Sequence, residues 1–502
     1  MHALILAAVI LSYFAFPNHF FITGCWPLGW LALVFLFPAF ANKSLMPRCA
    51  VGGLYGLVFY GLLVHWFVPY SLMGFLVFVL VLCLQPLLFA LGYGWRPTRP
   101  AREVLYVAAL WVVTEYLRAF VMSGFSWNLA YSQAYEPCMI QIAALTGSWG
   151  LAFSMAAGNF CLYKFFTSRK SGYIFAVLFL IGGVYIVGQA RLTLEQDRRE
   201  TGPTLEVLAV QPNIDFRQKN DISYLGSVIS GTMASTYQGL KRFEPDLIVW
   251  PETAWPVDYR RYDGLFAPLR RLVAQSQNYF LFGTVEDAGG RDFNSAVMLG
   301  PDTSVEGHYQ KRYLVPFSEY LPSGILWSGV CDWLKIRSHD FHPGQESRLF
   351  EVLPEWGREP AFVFRFGLLI CSEDTLGFLY RAYKSKGAGL IIVLLNDGWF
   401  SKKEALMLHA QNAILHAVEN GIPVLRVANN GWTGYIDALG RIGAPDQVAL
   451  QKAGFGRFRV QQGLQATMYS LCGDWFCYLS IGFVIIILLE KLTKNLRQPE
   501  SN

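Results

Sequence analysis

The chain has 502 residues, 53% of them hydrophobic and 15% charged, with a mean hydropathy of +0.32. Ordinary globular proteins carry about 25% charged residues, so this composition excludes intrinsic disorder, a basic nucleic-acid arm and a small disulfide scaffold. The net charge of +5 is spread over short basic clusters between apolar stretches, a membrane pattern rather than an anion-binding one.

Residues 1–190 hold a series of apolar runs, each near the length needed to cross about 30 Å of hydrocarbon. Seven spans are read at 3–17, 26–41, 50–68, 71–93, 104–122, 139–163 and 172–190, and an eighth at 472–489. The first lacks a basic leader and a small-x-small cleavage site, so it reads as a retained helix. Lys43 and Arg48 follow the second span; Arg96, Arg99 and Arg102 the fourth; Lys164, Arg169 and Lys170 the sixth; Lys491, Lys494 and Arg497 the eighth. The loops after spans one and three carry no Lys or Arg, and the loop after span five has none beyond Arg118 at its helix end. By the positive-inside rule both termini are cytoplasmic, and the long segment 191–471 lies on the outer face.

Within the spans, Glu115 and Arg118 stand three residues apart on one helix face, the spacing of a mutual ion pair. His65, Trp66, Trp127 and Tyr131 read as aromatic and polar anchors at the outer interface.

Segment 191–471 has another character. Short apolar runs at 205–210, 246–250, 279–284, 296–299, 362–371, 390–395 and 424–428 alternate with amphipathic stretches at 221–243, 262–277, 375–386 and 402–420. That alternation predicts an α/β domain whose sheet is covered on its faces. The expected domains are thus a bundle over 1–190, an extracytoplasmic domain over 191–471, and a last helix with a cytoplasmic tail over 472–502.

Three short segments carry candidate chemistry. LIVWPETAWP puts Glu252 just past a strand, HYQKRYLVPFSEYLP puts Lys311 and Glu319 around a rigid turn, and FGLLICSEDT puts Cys371 at a strand end with Glu373 two residues on. In open α/β sheets, ligands collect beyond the carboxyl ends of strands. A thiol is a nucleophile only as thiolate, so it needs a base such as Glu252. The oxyanion of acyl transfer needs donors such as the Lys311 ammonium and the backbone N–H of Ser372. Singly, each residue reads as a core cysteine, a helix-end carboxylate or a surface lysine; together they supply three different required roles.

WPET, the run from Lys311 to Glu319, and the run from Cys371 to Asp374 resemble the Glu–Lys–Cys signatures of the carbon–nitrogen hydrolase (nitrilase) superfamily. QPNI at 211–214, GFSWNLAYSQ at 124–133, NDGWF at 396–400 and HAVENGIPVLRVANNG at 416–431 extend the likeness over nearly the whole chain. On this topology the chain resembles the apolipoprotein N-acyltransferase family. The resemblance implies eight transmembrane helices carrying a nitrilase-like α-β-β-α sandwich, in the inner membrane of a bacterium, with the catalytic domain on the periplasmic side. It implies Glu252 as general base, Lys311 as oxyanion stabiliser and Cys371 as nucleophile, supported by Glu319 and Glu373, with Trp399 and Trp127 beside the lipid. The acyl donor would be a phospholipid, phosphatidylethanolamine foremost, and the acceptor the α-amino group of a diacylglyceryl-cysteine on a lipoprotein.

Neither metal, cofactor nor nucleic acid is called for: the nine cysteines form no CxxC pair and no zinc-spaced cluster with histidine. The same acyl-enzyme would serve a membrane-anchored amidase that uses water as acceptor. Ser372 and Asn220 depart from the family pattern, which has aromatic residues at those positions, and both bear on substrate range. A disulfide among Cys331, Cys371 and Cys472 is left open by the sequence.

Overall fold

The structure is a computed structural model, and it describes residues 1–121, 126–200, 203–215, 218, 222–321, 340–354, 362–400, 402–443 and 448–497. The chain divides into two compact units. One comprises Met1–Arg198, Phe400–Gly421 and Ala466–Asn502; the other comprises Arg199–Trp399 and Ile422–Gln465. The segment 400–421, within the range expected for the catalytic domain, thus groups with the helical unit.

In the helical unit, five helices among the described residues are long and apolar enough to cross a membrane: Leu45–Leu63, Leu72–Tyr93, Pro100–Val121, Ser171–Gln196 and Trp475–Lys494. A sixth crossing is available if Pro137–Thr146 and Ser148–Ser168, bent by 116°, count as one. The bend sits at Gly147, whose φ of +67° suits glycine, and a Cβ there would meet the Tyr469 ring at 2.6 Å. The helix His2–Ala15 is shorter than a standard span. The expected span 26–41 is not one helix but a 3-10 turn, Trp26–Trp30, followed by the short helix Leu36–Phe40.

Glu115 and Arg118 do not form the mutual ion pair that their spacing suggests. Glu115 accepts from the backbone N–H of Leu129 at 2.8 Å. Arg118 donates to the carbonyls of Ser126 and Trp127 and to the Tyr60 hydroxyl. The turn after the helix presents backbone donors and acceptors away from water, and these two charged side chains satisfy them. Trp127 is buried, and its indole donates to the Leu408 carbonyl of the helix Lys403–Asn420. His65 caps its own turn through the Leu62 carbonyl, and Trp66 packs edge-on against Phe400.

Among the described residues the second unit has eleven strands: β1 (Thr204–Gln211), β2 (Leu247–Val249), β3 (Tyr279–Asp287), β4 (Asp292–Leu299), β5 (Val305–Gln310), β6 (Leu349–Val352), β7 (Phe364–Ile370), β8 (Leu390–Leu395), β9 (Val424–Ala428), β10 (Gly434–Ile436) and β11 (Gly454–Gln461). They form a six-stranded sheet of order β11-β1-β2-β3-β4-β5 and a five-stranded sheet of order β10-β9-β8-β7-β6. The strands β1, β2 and β3 pair in parallel, as do β7, β8 and β9.

Side-chain alternation explains the layering. Leu205, Val207, Ala209, Leu247, Val249 and Leu281 of the first sheet share one buried cluster with Phe366, Leu368, Ile370, Ile392 and Leu394 of the second. Their neighbours of opposite parity, among them Leu208, Val210, Ile248, Trp250 and Phe282, pack instead on Ile229 and Met233 of the helix Leu225–Leu240 and on Phe266 and Leu269 of Asp263–Ser276. Over the second sheet lies Gly377–Ser385, whose Tyr383 hydroxyl bonds the Leu368 carbonyl. This is the expected α-β-β-α sandwich. Strands buried on both faces read as near-continuous apolar runs, which is why β7, β8 and β9 were visible in the sequence.

Candidate active site

Glu252 lies in the turn after β2 and is buried. Its position depends on Gly283 in the neighbouring β3: a Cβ there would meet the Pro251 carbonyl oxygen at 2.5 Å and the Glu252 Cα at 2.7 Å. Glu252 Oε1 accepts from Asn294 Nδ2 at 2.8 Å. The same nitrogen donates to Glu319 Oε1 at 3.1 Å, so one amide joins two carboxylates.

Lys311 follows β5 and is 1% exposed. Its Nζ lies 2.9 Å from Glu319 Oε1 and 2.8 Å from Oε2. Glu319 Oε2 also accepts from the Val315 N–H, which fixes the loop between lysine and carboxylate. Burial lowers the Lys311 pKa, but Glu319, Cys371 and Glu252 outweigh it and hold the amine above its ordinary value, as an ammonium.

Cys371 ends β7 with a left-handed φ of +54° and opens the turn Cys371–Thr375. That backbone kink turns the thiol out of the strand, at a conformational cost of order 1–3 kcal/mol that the surrounding bonds sustain. Cys371 is a free, partly buried thiol. Burial raises its pKa well above the usual thiol value, the Glu252 carboxylate raises it further, and the Lys311 ammonium opposes both. These two charges, from the turns after β2 and β5, thus act on the thiol in opposite senses, although the sequence separates them from it by many residues. Cys472 is also free, and Cys331 lies outside the described residues.

Glu373 ties the thiol turn to the lysine turn. Its fully buried carboxylate accepts from the Tyr309 hydroxyl, from Arg312 N–H at 2.8 Å, from Tyr313 N–H at 3.2 Å and from Ile370 N–H at 2.9 Å. Burial pushes its pKa up, against Lys311 and these donors. Ser372, partly buried in the same turn, accepts the Thr375 hydroxyl at its carbonyl, and its N–H follows directly on the nucleophile candidate.

Three residues beyond those expected also shape the site. Asn294 is one, hidden in an alternating strand where nothing marks a polar bridge. Arg426 and Asp397 are the others: Arg426, fully buried on β9, bonds Asp374 of the thiol turn and lies 3.7 Å from Asp397 after β8. Their arginine and aspartates stand within the quoted VLRVANNG, CSED and NDGWF runs, so the signal was present. The QPNI segment docks on Asn429, which exchanges hydrogen bonds with the backbone of Ile214. Trp399 closes the turn Asp397–Trp399 beyond β8; Trp127 belongs to the helical unit, and Asn220 lies outside the described residues.

Comparison with known proteins decides the family. Residues 8–161 match the family model described as the apolipoprotein N-acyltransferase N-terminal domain, and residues 210–450 match carbon-nitrogen hydrolase. The apolipoprotein N-acyltransferase of Methylococcus capsulatus is 32% identical over 89% of this chain and 88% of its own length. That of Thermotoga maritima is 30% identical over 93% and 89%. The chain belongs to the apolipoprotein N-acyltransferase family.

This member of the family is a membrane acyltransferase with a nitrilase-superfamily α/β domain. Among solved structures, an amidase from Nesterenkonia sp. matches 55% of this chain and 97% of its own, at 16% identity and a TM-score of 0.37. The relatives that match over 89–96% of this chain are named apolipoprotein N-acyltransferase.

Proposed function

We propose that this acyltransferase works by a ping-pong route through a Cys371 thioester. In the first half, sulfur attacks the carbonyl carbon of a phospholipid ester while Glu252 takes the thiol proton. The tetrahedral oxyanion is held by the Lys311 ammonium and the Ser372 N–H. Its collapse breaks the ester C–O bond, and the lyso-phospholipid leaves with the proton from Glu252. In the second half, the α-amino group of a diacylglyceryl-cysteine attacks the thioester. Glu252 takes the amine proton, and the thiolate leaves to be reprotonated. Phosphatidylethanolamine is the proposed donor.

What supports this reading is the hydrogen-bonded chain Glu252–Asn294–Glu319–Lys311 beside a free thiol. It fixes a base and an oxyanion clamp as one rigid group, so little reorganisation is required as charge moves from sulfur to oxygen.

The loop charges support eight crossings, with His2–Ala15 and the broken 26–41 segment each counted, both termini cytoplasmic and the α/β domain on the periplasmic side of the inner membrane. The bundle over 1–190 and the helix over 472–502 would then hold the domain over 191–471 at the bilayer surface. There a thiol reaches a lipid ester without extracting the lipid, and exclusion of water protects the thioester. Trp399 and Trp127 would border the path of the acyl chain.

Intact-protein mass spectrometry after incubation with phosphatidylethanolamine tests the proposal. A hydroxylamine-labile gain of one acyl group is expected on the native chain and not on Cys371→Ala, and it should discharge onto a diacylglyceryl-cysteine peptide. Neither adduct nor lyso-lipid after an early quench would defeat the thioester route.

A further inference from the structure

Arg312 stands next to Lys311, and its guanidinium makes neither a hydrogen bond nor an ion pair among the described residues. It lies over the face of Tyr313, with the guanidinium carbon 5.5 Å from the ring centre. Its backbone is fixed: the N–H groups of Arg312 and Tyr313 both end on Glu373, two residues from the candidate nucleophile. The Tyr313 ring meets Phe378 edge-on at 5.2 Å, and the two rings are 40% and 43% exposed. Phe378 opens the helix that follows the thiol turn. The rim beside Cys371 is thus an exposed aromatic pair carrying a half-buried cation whose five N–H donors are all unspent among the described residues.

A guanidinium laid on an aromatic face keeps its in-plane fork open, is weakly hydrated, and matches the oxygens of a phosphate bidentately. The neighbouring Glu373 does not compete for it, because that carboxylate is occupied by Tyr309 and three backbone donors. A glycerophospholipid carries one phosphodiester, across the glycerol from the ester that the thiol attacks. A diacylglyceryl-cysteine carries none, since a thioether stands in that place.

We propose that Arg312, stacked on Tyr313 at the rim of the site, binds the phosphodiester of the acyl-donor phospholipid and is not used by the acceptor. The assignment rests on the acyl-transfer reading above and adds what distinguishes its two substrates. Arg312 would select phosphate-bearing donors whatever their headgroup, and it would serve the first half-reaction alone. Once the lyso-phospholipid has left, the acceptor would enter a rim that asks nothing of it there.

The test uses the full chain in detergent with an ether-linked phosphatidylethanolamine, which has no carbonyl to attack, and the matching dialkylglycerol. Arg312→Met should weaken the phospholipid analogue about ten- to hundredfold, the range of a lost charge-assisted hydrogen bond, and leave the dialkylglycerol unchanged. Arg312→Lys should recover part of the loss. In single-turnover assays Arg312→Met should slow thioester formation from phosphatidylethanolamine but not discharge of a preformed thioester onto a diacylglyceryl peptide. Equal weakening of both analogues, or none of either, would overturn the assignment. Arg312-dependent binding without any acyl adduct would instead defeat the thioester reading and leave the phosphate site standing.

Discussion

Glu319 grips Lys311 with both carboxylate oxygens, 2.9 and 2.8 Å from Nζ, in a pair from which water is almost wholly excluded. Burial by itself lowers the lysine pKa, and Glu319 is the largest charge that offsets it. Glu319→Gln should therefore let the amine lose its proton at lower pH than in the native chain. The alkaline limb of kcat/KM for thioester formation should move downward, with activity returning on acidification. A uniform loss at every pH, with the limb unmoved, would show that Glu319 acts on something other than the ammonium.

The thiol responds to two charges of opposite sign. Glu252 raises its pKa, on top of burial, and Lys311 lowers it. Glu252→Gln should speed alkylation of Cys371 by iodoacetamide at neutral pH and shift its pH profile down, even as turnover is lost. Lys311→Met should do the reverse, shifting the profile up, and if Lys311 is the oxyanion donor proposed above its removal should cost about 10²- to 10³-fold in kcat. The two variants should thus lose turnover together while their alkylation profiles separate. Profiles that move in the same direction would mean that one of the charges does not face the sulfur.

Much of this arrangement could be read in the chain, and the parts that could not have physical reasons. The strands before Glu252 and Cys371 are almost wholly buried and stood out as apolar runs. β11 did not, because its Arg457 and Arg459 alternate with inward residues on an edge strand, and edge strands carry a weaker apolar signal. Spans 26–41 and 139–163 were expected as single helices because apolar length was counted, but length does not register a turn such as that at Gly147, or the 3-10 start at Trp26–Trp30. Glu115 and Arg118 were paired by spacing alone, whereas in an apolar bundle the stronger demand came from the backbone of residues 126–129. Asn294 was missed because its partners lie 42 and 25 residues away, a relation that no local pattern records.

Asn294 gives a discriminating pair of substitutions. Its single NH₂ group serves Glu252 and Glu319 together. Asn294→Ala removes both bonds, and at about 1.5–3 kcal/mol for a hydrogen bond to a charged group the acylation rate should fall at least tenfold. Asn294→Asp should be worse, since a third carboxylate would stand between two others in a buried site. Single-turnover acylation by phosphatidylethanolamine measures both. An aspartate variant as active as the alanine one would mean that Glu252 and Glu319 are not both ionised in the resting enzyme.

Gly283 tests whether the placement of Glu252, rather than its presence, limits the chemistry. The Cβ of Gly283→Ala would fall 2.5 Å from the Pro251 carbonyl oxygen, 2.6 Å from the Thr253 nitrogen and 2.7 Å from the Glu252 Cα. All three are backbone atoms, so relief requires the turn itself to move. Thr253, already at a left-handed φ of +42°, leaves that turn little slack. A displacement of about 1 Å at a catalytic group costs on the order of 10²-fold. Gly283→Ala should therefore lower thioester formation by about that factor with Glu252 still present, and lower the unfolding temperature as well. Overpacking at Gly283 alone predicts the lower unfolding temperature with acylation intact. Loss of acylation at temperatures well below unfolding is what separates a misplaced base from a merely weakened fold.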